Sequence, residues 1–432
     1  MSTSFRGLLS ACTILAAACL LVLSRHWDLA GLVALRAIAL PVSLATGGVL
    51  LLLAWRLKPF GWPLVMVLSG TSMVFSGHWQ LEAHRQQQRA FELPPAIAHE
   101  IGQHLIVGFT QESEITELIS RGLIGGVFIT RRNIEGKQAN DIRQLIANWQ
   151  SLRQRSGLAP LIIATDQEGG LVSRMSPPLP LQKPLGQLLR DSNHPAQTAQ
   201  EYGREQGQGL AQLGITLNFA PVVDLDHGIH NPDDKYSKIS RRALGRDPVQ
   251  VANAARAYCA GLAEHQVQCT LKHFPGLGRV FEDTHADSAS IHTPPAELSA
   301  SDLQPFRTLH NHHSFIMLSH AKLASLDASR PASSSPKVIE QLIRQDWQYQ
   351  GLLITDDLGM AGAREQDGGS EAGAILALNA GVDYLLIAWD PILVYPILNA
   401  LVEAKIGGVL NSSQLDRSRQ RMTRQSIIRS AP

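Results

Sequence analysis

Short β-rich runs alternate with longer helical patterns between residues 101 and 389. Asp166, Asp224, Lys272, His273, His320 and Asp356 close such runs at their carboxyl ends, and the first eighty residues carry almost no charge. These observations predict an α/β chain, a (β/α)8 TIM-type barrel preceded by an N-terminal transmembrane helical region. The 432 residues hold 38 Lys and Arg against 37 Asp and Glu, a formal charge of +1. That balance gives no electrostatic reason to expect a nucleic-acid partner. A hydrophobic fraction of 44% excludes a disordered chain, and 4 cysteines are too few for a disulfide scaffold.

Formal charges in residues 1–80 are confined to Arg6, Arg25, Asp28, Arg36, Arg56 and Lys58. Three uncharged stretches, 7–24, 37–55 and 61–77, lie between them and are expected to be membrane spans, since a bilayer core takes roughly 20 apolar residues. Trp55, Trp62 and Trp79 fall near their ends, where indoles favour the interface. A signal peptide ending near Cys19 is disfavoured, because the apolar run continues past it as LLVL. Membrane lipid is therefore an expected partner and the bacterial inner membrane the expected location. The weak excess of basic residues on one side places the rest of the chain outside the cytoplasm. Residues 81–95 end in Pro94-Pro95 and read as a linker to a barrel over 96–428.

The eight strands expected are 101–109, 124–130, 161–166, 215–224, 268–274, 314–320, 351–356 and 382–389, with helices over 137–155, 196–213, 248–266, 299–310, 336–347 and 371–380. In such a barrel the carboxyl ends of the strands converge on one mouth, where chemistry is done. Asp356 and Asp357 are adjacent, and neighbouring side chains on a strand point to opposite faces. Asp356 therefore faces the mouth, and Asp357 braces the turn that follows. Asp283-Thr284-His285 lies in a Gly-rich segment after the fifth strand; extended backbone puts Asp283 and His285 on one side, so the carboxylate can hold one ring nitrogen and leave the other to move a proton. No metal is expected: the first strand, IGQHLIVGF, lacks a His-x-His pair. His310, His312 and His313 read as solvated, and Cys259 and Cys269 form no CxxC that would signal zinc or redox chemistry.

DQEGG (166–170), NFAPVVD (218–224), LKHFPG (271–276), DTH (283–285), IMLSH (316–320) and TDDLGM (355–360) occur in the order and spacing of glycoside hydrolase family 3. Over roughly residues 95–428 the chain resembles the β-N-acetylglucosaminidase (β-hexosaminidase) branch of that family. The resemblance implies Asp356 as the nucleophile, His285 as the general acid/base and Asp283 as its orienting partner. It implies sugar-hydroxyl contacts from Asp166, Arg174, Arg242, Lys272 and His273. Leu171 stands where the family commonly has Arg, and Thr284 where it has Ser. The function implied is a retaining β-N-acetylglucosaminidase acting on non-reducing terminal GlcNAc, including that of peptidoglycan fragments and muropeptides, without a cofactor. The alternatives are a β-N-acetylglucosaminide phosphorylase and a non-catalytic, membrane-anchored sugar-binding protein.

Overall fold

The computed structural model describes residues 3–25, 36–57, 62–309, 315–366 and 368–430, with side chains described at 11–23, 41–56, 62–309, 315–366 and 368–425. The chain divides into two units, Met1–Glu92 and Leu93–Pro432. The first unit is three helices: α1 (Thr3–Arg25), α2 (Arg36–Leu57) and α3 (Trp62–Phe91). Ala17, Leu20, Leu50, Ala54 and Val65 pack together among them, and Ser72 Oγ donates to the Leu20 carbonyl at 3.1 Å.

The transmembrane part of the expected fold class is corrected here. Among the described residues no helix is long and apolar enough to cross a membrane. The apolar half of α3 runs without a break into a polar one containing His78, Glu82, His84 and Arg85. An uncharged stretch between two arginines is a weaker signal than a described apolar helix of bilayer length, and no described span supports the expected contact with membrane lipid. Residues 81–91, expected as linker, continue α3. Arg6, Arg25, Arg36 and Lys58, which entered the orientation argument, together with Asp28, His310, His312 and His313, lie outside the described side chains.

The second unit is a closed barrel of eight parallel strands, in chain order β1 (Leu105–Val107), β2 (Gly126–Ile129), β3 (Ile162–Thr165), β4 (Leu217–Asn218), β5 (Gln268–Phe274), β6 (Phe315–Leu318), β7 (Leu353–Asp357) and β8 (Tyr384–Ile387). Closure is made where Leu105 of β1 pairs with Leu385 of β8. The barrel half of the expected fold class is borne out, with local differences. Residues 95–102 form a helix rather than the start of β1, because Pro95 sits at the first helical position, where its missing N–H costs nothing. The fourth strand is only Leu217–Asn218, followed by an isolated bridge from Val222 to Lys272, since Pro221 has no N–H to give the ladder. Inward side chains fill the barrel: Ile106, Phe128, Ala164, Phe219, Met317 and Ile354 are buried together, with Phe128 stacked on Phe219 at 5.4 Å between ring centroids.

Charge ties the C-terminal helix Ser412–Ser430 to this frame. The buried Asp383 carboxylate accepts from Leu353 N, Arg344 Nη2, Ser418 Oγ and Arg421 Nε at 2.8, 2.8, 2.7 and 2.9 Å. A second tie is covalent. Cys259, in the helix Pro248–Ala263, and Cys269, at the start of β5, form a disulfide. No CxxC announces it, because one turn of chain reversal brings together residues 10 apart. Replacing both cysteines with Ser is expected to lower the unfolding free energy by about 2–4 kcal/mol. Chemical denaturation checks this, and an unchanged midpoint would contradict it.

Candidate active site

Two carboxylates on alternate residues open the site. Asp166 and Glu168 follow β3 into a short antiparallel hairpin, Gln167–Gly169 with Val172–Ser173. Gly169 and Gly170 both take left-handed backbone, at φ 93° and 61°, which side chains with a Cβ rarely adopt. A Cβ at Gly169 would also run into the Tyr202 hydroxyl. The turn brings Arg174 back beside Asp166, whose carbonyl accepts its backbone N–H at 3.0 Å. Asn218, at the end of β4, holds the hairpin through Gln167: Oδ1 accepts from Gln167 N at 2.8 Å, and Nδ2 donates to Gln167 O at 2.9 Å.

Lys272 enters from β5 and lies 2.6 Å from Asp166 Oδ1 and 2.6 Å from Glu168 Oε1. Arg242 clamps the same Glu168 through two bonds, Nη2 to Oε1 at 2.7 Å and Nε to Oε2 at 2.9 Å. The Glu168 side chain is only 7% exposed. Burial opposes its ionisation, but Arg242 and Lys272 outweigh that and hold the carboxyl well below the usual carboxylate range. His273, the next residue, donates Nδ1–H to Asp224 Oδ2 at 2.7 Å, while its Nε2 lies 3.4 Å from Arg242 Nη2. Asp224 also accepts the backbone N–H groups of His273 and Leu277, at 3.0 and 2.8 Å. It therefore orients β5 and the loop after it, beneath the surface.

Asp356 and Asp357 separate as strand alternation requires. Asp357 is buried and accepts from Gly359 N, Ala388 N and Trp389 N, at 3.0, 3.0 and 2.8 Å, fastening β7 to β8. Burial pushes its carboxyl up, and the Asp356 charge adds to the shift despite the three donors. Asp356 moves the other way. Burial alone would raise it, but His273, His320 and His285 outweigh that and lower it. His320 is buried beneath, with Nδ1 2.7 Å from Ser333 Oγ and Nε2 donating to the Asp357 carbonyl at 3.0 Å. Burial lowers its pKa.

Asp283 and His285 sit on the loop after β5. His285 Nδ1 donates to Asp283 Oδ1 at 3.0 Å, leaving Nε2 as its other ring nitrogen. Asp283 also accepts from the backbone N–H groups of Lys235 and Tyr236, both at 3.1 Å, and from Ser237 Oγ at 3.0 Å. Burial would raise its pKa, but the bonds from His285 and Ser237 lower it. Asp166, Arg174, Arg242, Lys272, His273, His285 and Asp356 all line one cavity of about 320 Å³ at the carboxyl ends of the strands. Of the residues expected at the mouth from the sequence, Asp224, Asp283 and His320 stand behind the wall. Glu168, Asn218, Ser237, Tyr236 and Trp389 were not foreseen. The alternation of Asp166 with Glu168 on an extended segment is the signal that could have found Glu168. Among the described residues no group of three His, Cys, Asp or Glu side chains could hold a metal ion.

A parallel barrel whose mouth gathers a carboxylate beside imidazoles, an Asp–His pair and a ladder of paired charged groups has the layout of a carbohydrate hydrolase. The chain belongs to glycosyl hydrolase family 3: the family described as "Glycosyl hydrolase family 3 N terminal domain" matches residues 96–425. The resemblance seen in the motifs is thereby borne out. The chain is 33% identical over 290 residues to the β-hexosaminidase of Haemophilus ducreyi, covering 66% of this chain and 80% of that one. To β-hexosaminidase LpqI of Mycobacterium tuberculosis it is 33% identical over 327 residues, 74% of this chain and 79% of that one. A solved family 3 β-N-acetylglucosaminidase from Paenibacillus sp. matches with a TM-score of 0.70 at 28% identity, over 77% of this chain and 62% of that one. The solved M. tuberculosis LpqI matches at 0.66 and 29%, over 76% and 93%.

Glu168 makes a stability prediction. A carboxyl whose folded pKa is depressed contributes stability that is present above its unfolded pKa, near 4.3, and is lost as pH falls through the folded value. Glu168→Gln leaves two buried cations short of a partner and is expected to cost about 3–5 kcal/mol at pH 7. It should also flatten the loss of stability below about pH 4. Denaturation midpoints at pH 7 and pH 3 check both effects.

Proposed function

We propose that this family 3 glycoside hydrolase, a β-N-acetylglucosaminidase, works by retention through a covalent intermediate on Asp356. The observation that carries the reading is the pairing, in one cavity, of a carboxylate held ionised by surrounding imidazoles with a histidine oriented by its own aspartate. In the first step an Asp356 oxygen bonds to the anomeric carbon as the glycosidic C–O bond breaks. The departing oxygen takes the proton from Nε2 of the His285 imidazolium. Asp283 holds Nδ1–H throughout and stabilises the imidazolium charge. In the second step the neutral Nε2 removes a proton from water, whose oxygen bonds to the anomeric carbon. The Asp356 ester breaks, and the sugar leaves with its configuration retained.

Asp166, Lys272, His273, Arg242 and Arg174 hold the sugar hydroxyls in this reading. Lys272 is fixed between two carboxylates, so the donors and acceptors are in place before the substrate arrives. Lys235 and Lys238 line the same cavity, where cations outnumber acids. That excess suits a glycan bearing a carboxylate, such as the lactyl group of a muramyl residue, and supports peptidoglycan fragments as the source of GlcNAc. The Cys259–Cys269 disulfide supports a catalytic unit working outside the cytosol, where such bonds persist.

Asp356→Ala is expected to abolish hydrolysis of an aryl β-GlcNAc, a loss of at least about 10⁴-fold in kcat. His285→Ala should slow a poor leaving group by about 10²–10⁴-fold and a good one much less, because only the poor one needs the proton. Steady-state rates over a series of aryl leaving groups check this. Equal losses across the series would remove His285 from the acid's role.

A further inference from the structure

Two large aromatic side chains stand exposed in the cavity wall with no part in the chemistry described above. Tyr236 is 47% exposed and Trp389 43%. Their ring centroids lie 6.1 Å apart at 62°, and Tyr236 lies 5.5 Å from the ring of His285. The three rings form a continuous run in the cavity lining, His285 to Tyr236 to Trp389.

The backbone of each aromatic is fixed by a carboxylate close to the chemistry. Asp283, which orients His285, accepts the backbone N–H of Tyr236 at 3.1 Å. Asp357, the chain neighbour of Asp356, accepts that of Trp389 at 2.8 Å. Arg132 adds a bond from Nη2 to the carbonyl of Ala388 at 3.2 Å. The wall is therefore set by the same groups that set His285 and Asp356.

Resting on the assignment of His285 as the acid, direction follows from chemistry. The atom that receives the proton belongs to the leaving group, so whatever flanks His285 on the cavity side meets the leaving group rather than the GlcNAc being cleaved. We propose that Tyr236 and Trp389 form a leaving-group subsite, an aromatic wall that takes the apolar C–H face of a second pyranose. Pyranose C–H bonds carry partial positive charge and meet the negative faces of aromatic rings, while their burial removes apolar area from water. Substituents of that second sugar are left to the cations at the rim.

The test compares two substrates that share a GlcNAc glycone. One is the β-1,4-linked GlcNAc disaccharide, which fills the wall; the other is GlcNAc β-fluoride, which has no second sugar. In Trp389→Ala the ratio of kcat/KM for the disaccharide to that for the fluoride is expected to fall about tenfold. Trp389→Phe, which keeps a ring, should restore most of that ratio. A ratio unchanged in Trp389→Ala, whatever the absolute rates, overturns the subsite. Wild-type protein inactive on both substrates overturns the glycosidase reading, and the subsite with it.

Discussion

Glu168, clamped between Lys272 and Arg242 beneath the barrel mouth, is the constraint on which the site depends. Its carboxylate takes two bonds from Arg242 and one from Lys272, while Lys272 also reaches Asp166. Three segments distant in sequence, the hairpin after β3, the loop after β4 and the end of β5, are thereby locked by one set of charges. In a region with little water such bonds are strong when complete and costly when one partner is removed. The ladder fixes the groups assigned to the sugar hydroxyls before any substrate is present. Binding energy is then not consumed in ordering long side chains.

The same economy appears at the reacting centre, where two aspartates that face away from the cavity serve two purposes each. Asp283 orients His285 and gathers the backbone of Lys235 and Tyr236. Asp357 fastens β7 to β8 through Ala388 and Trp389, and its upward shift accompanies the downward shift of Asp356. Neighbouring carboxyls driven apart in this way take distinct roles, one ionised toward the cavity and one held in hydrogen bonds. Strand alternation makes the division possible, since it sends adjacent side chains to opposite faces.

That alternation also explains how much could be read from the sequence. Asp166, Lys272, His273 and Asp356 were legible because each closes an apolar run, and a parallel barrel brings such ends together. Asp283 and His285 were legible as a pair through their i, i+2 spacing, but a turn rather than extended backbone brings them together, with Ala286 N and Asp287 N both donating to the Asp283 carbonyl. Glu168 was overlooked because it sits beside glycines and reads as part of a turn. Ser237 and Tyr236 lie in an irregular loop that Asp234 braces locally and that the Asp283 carboxylate joins to the site, a contact across 46 and 47 residues that no local pattern encodes. Cys259 and Cys269 carried no spacing signal, and the stop of β4 turned on a single proline. The N-terminal stretches were legible as helices but were read too far: absence of charge was taken as evidence of a span, whereas no described helix meets the length and apolarity that a bilayer requires.

The central claim is that Asp356 becomes covalently bonded to the sugar. The most direct measurement is mass spectrometry of the protein after incubation with a 5-fluoro derivative of GlcNAc β-fluoride, which forms a glycosyl-enzyme quickly and releases it slowly. The account predicts a mass increase of one fluorinated sugar per chain, with peptide mapping placing it on Asp356 and Asp356→Ala taking up none. A label on any other carboxylate, or turnover of the fluoride with no labelled protein at any time, would contradict it.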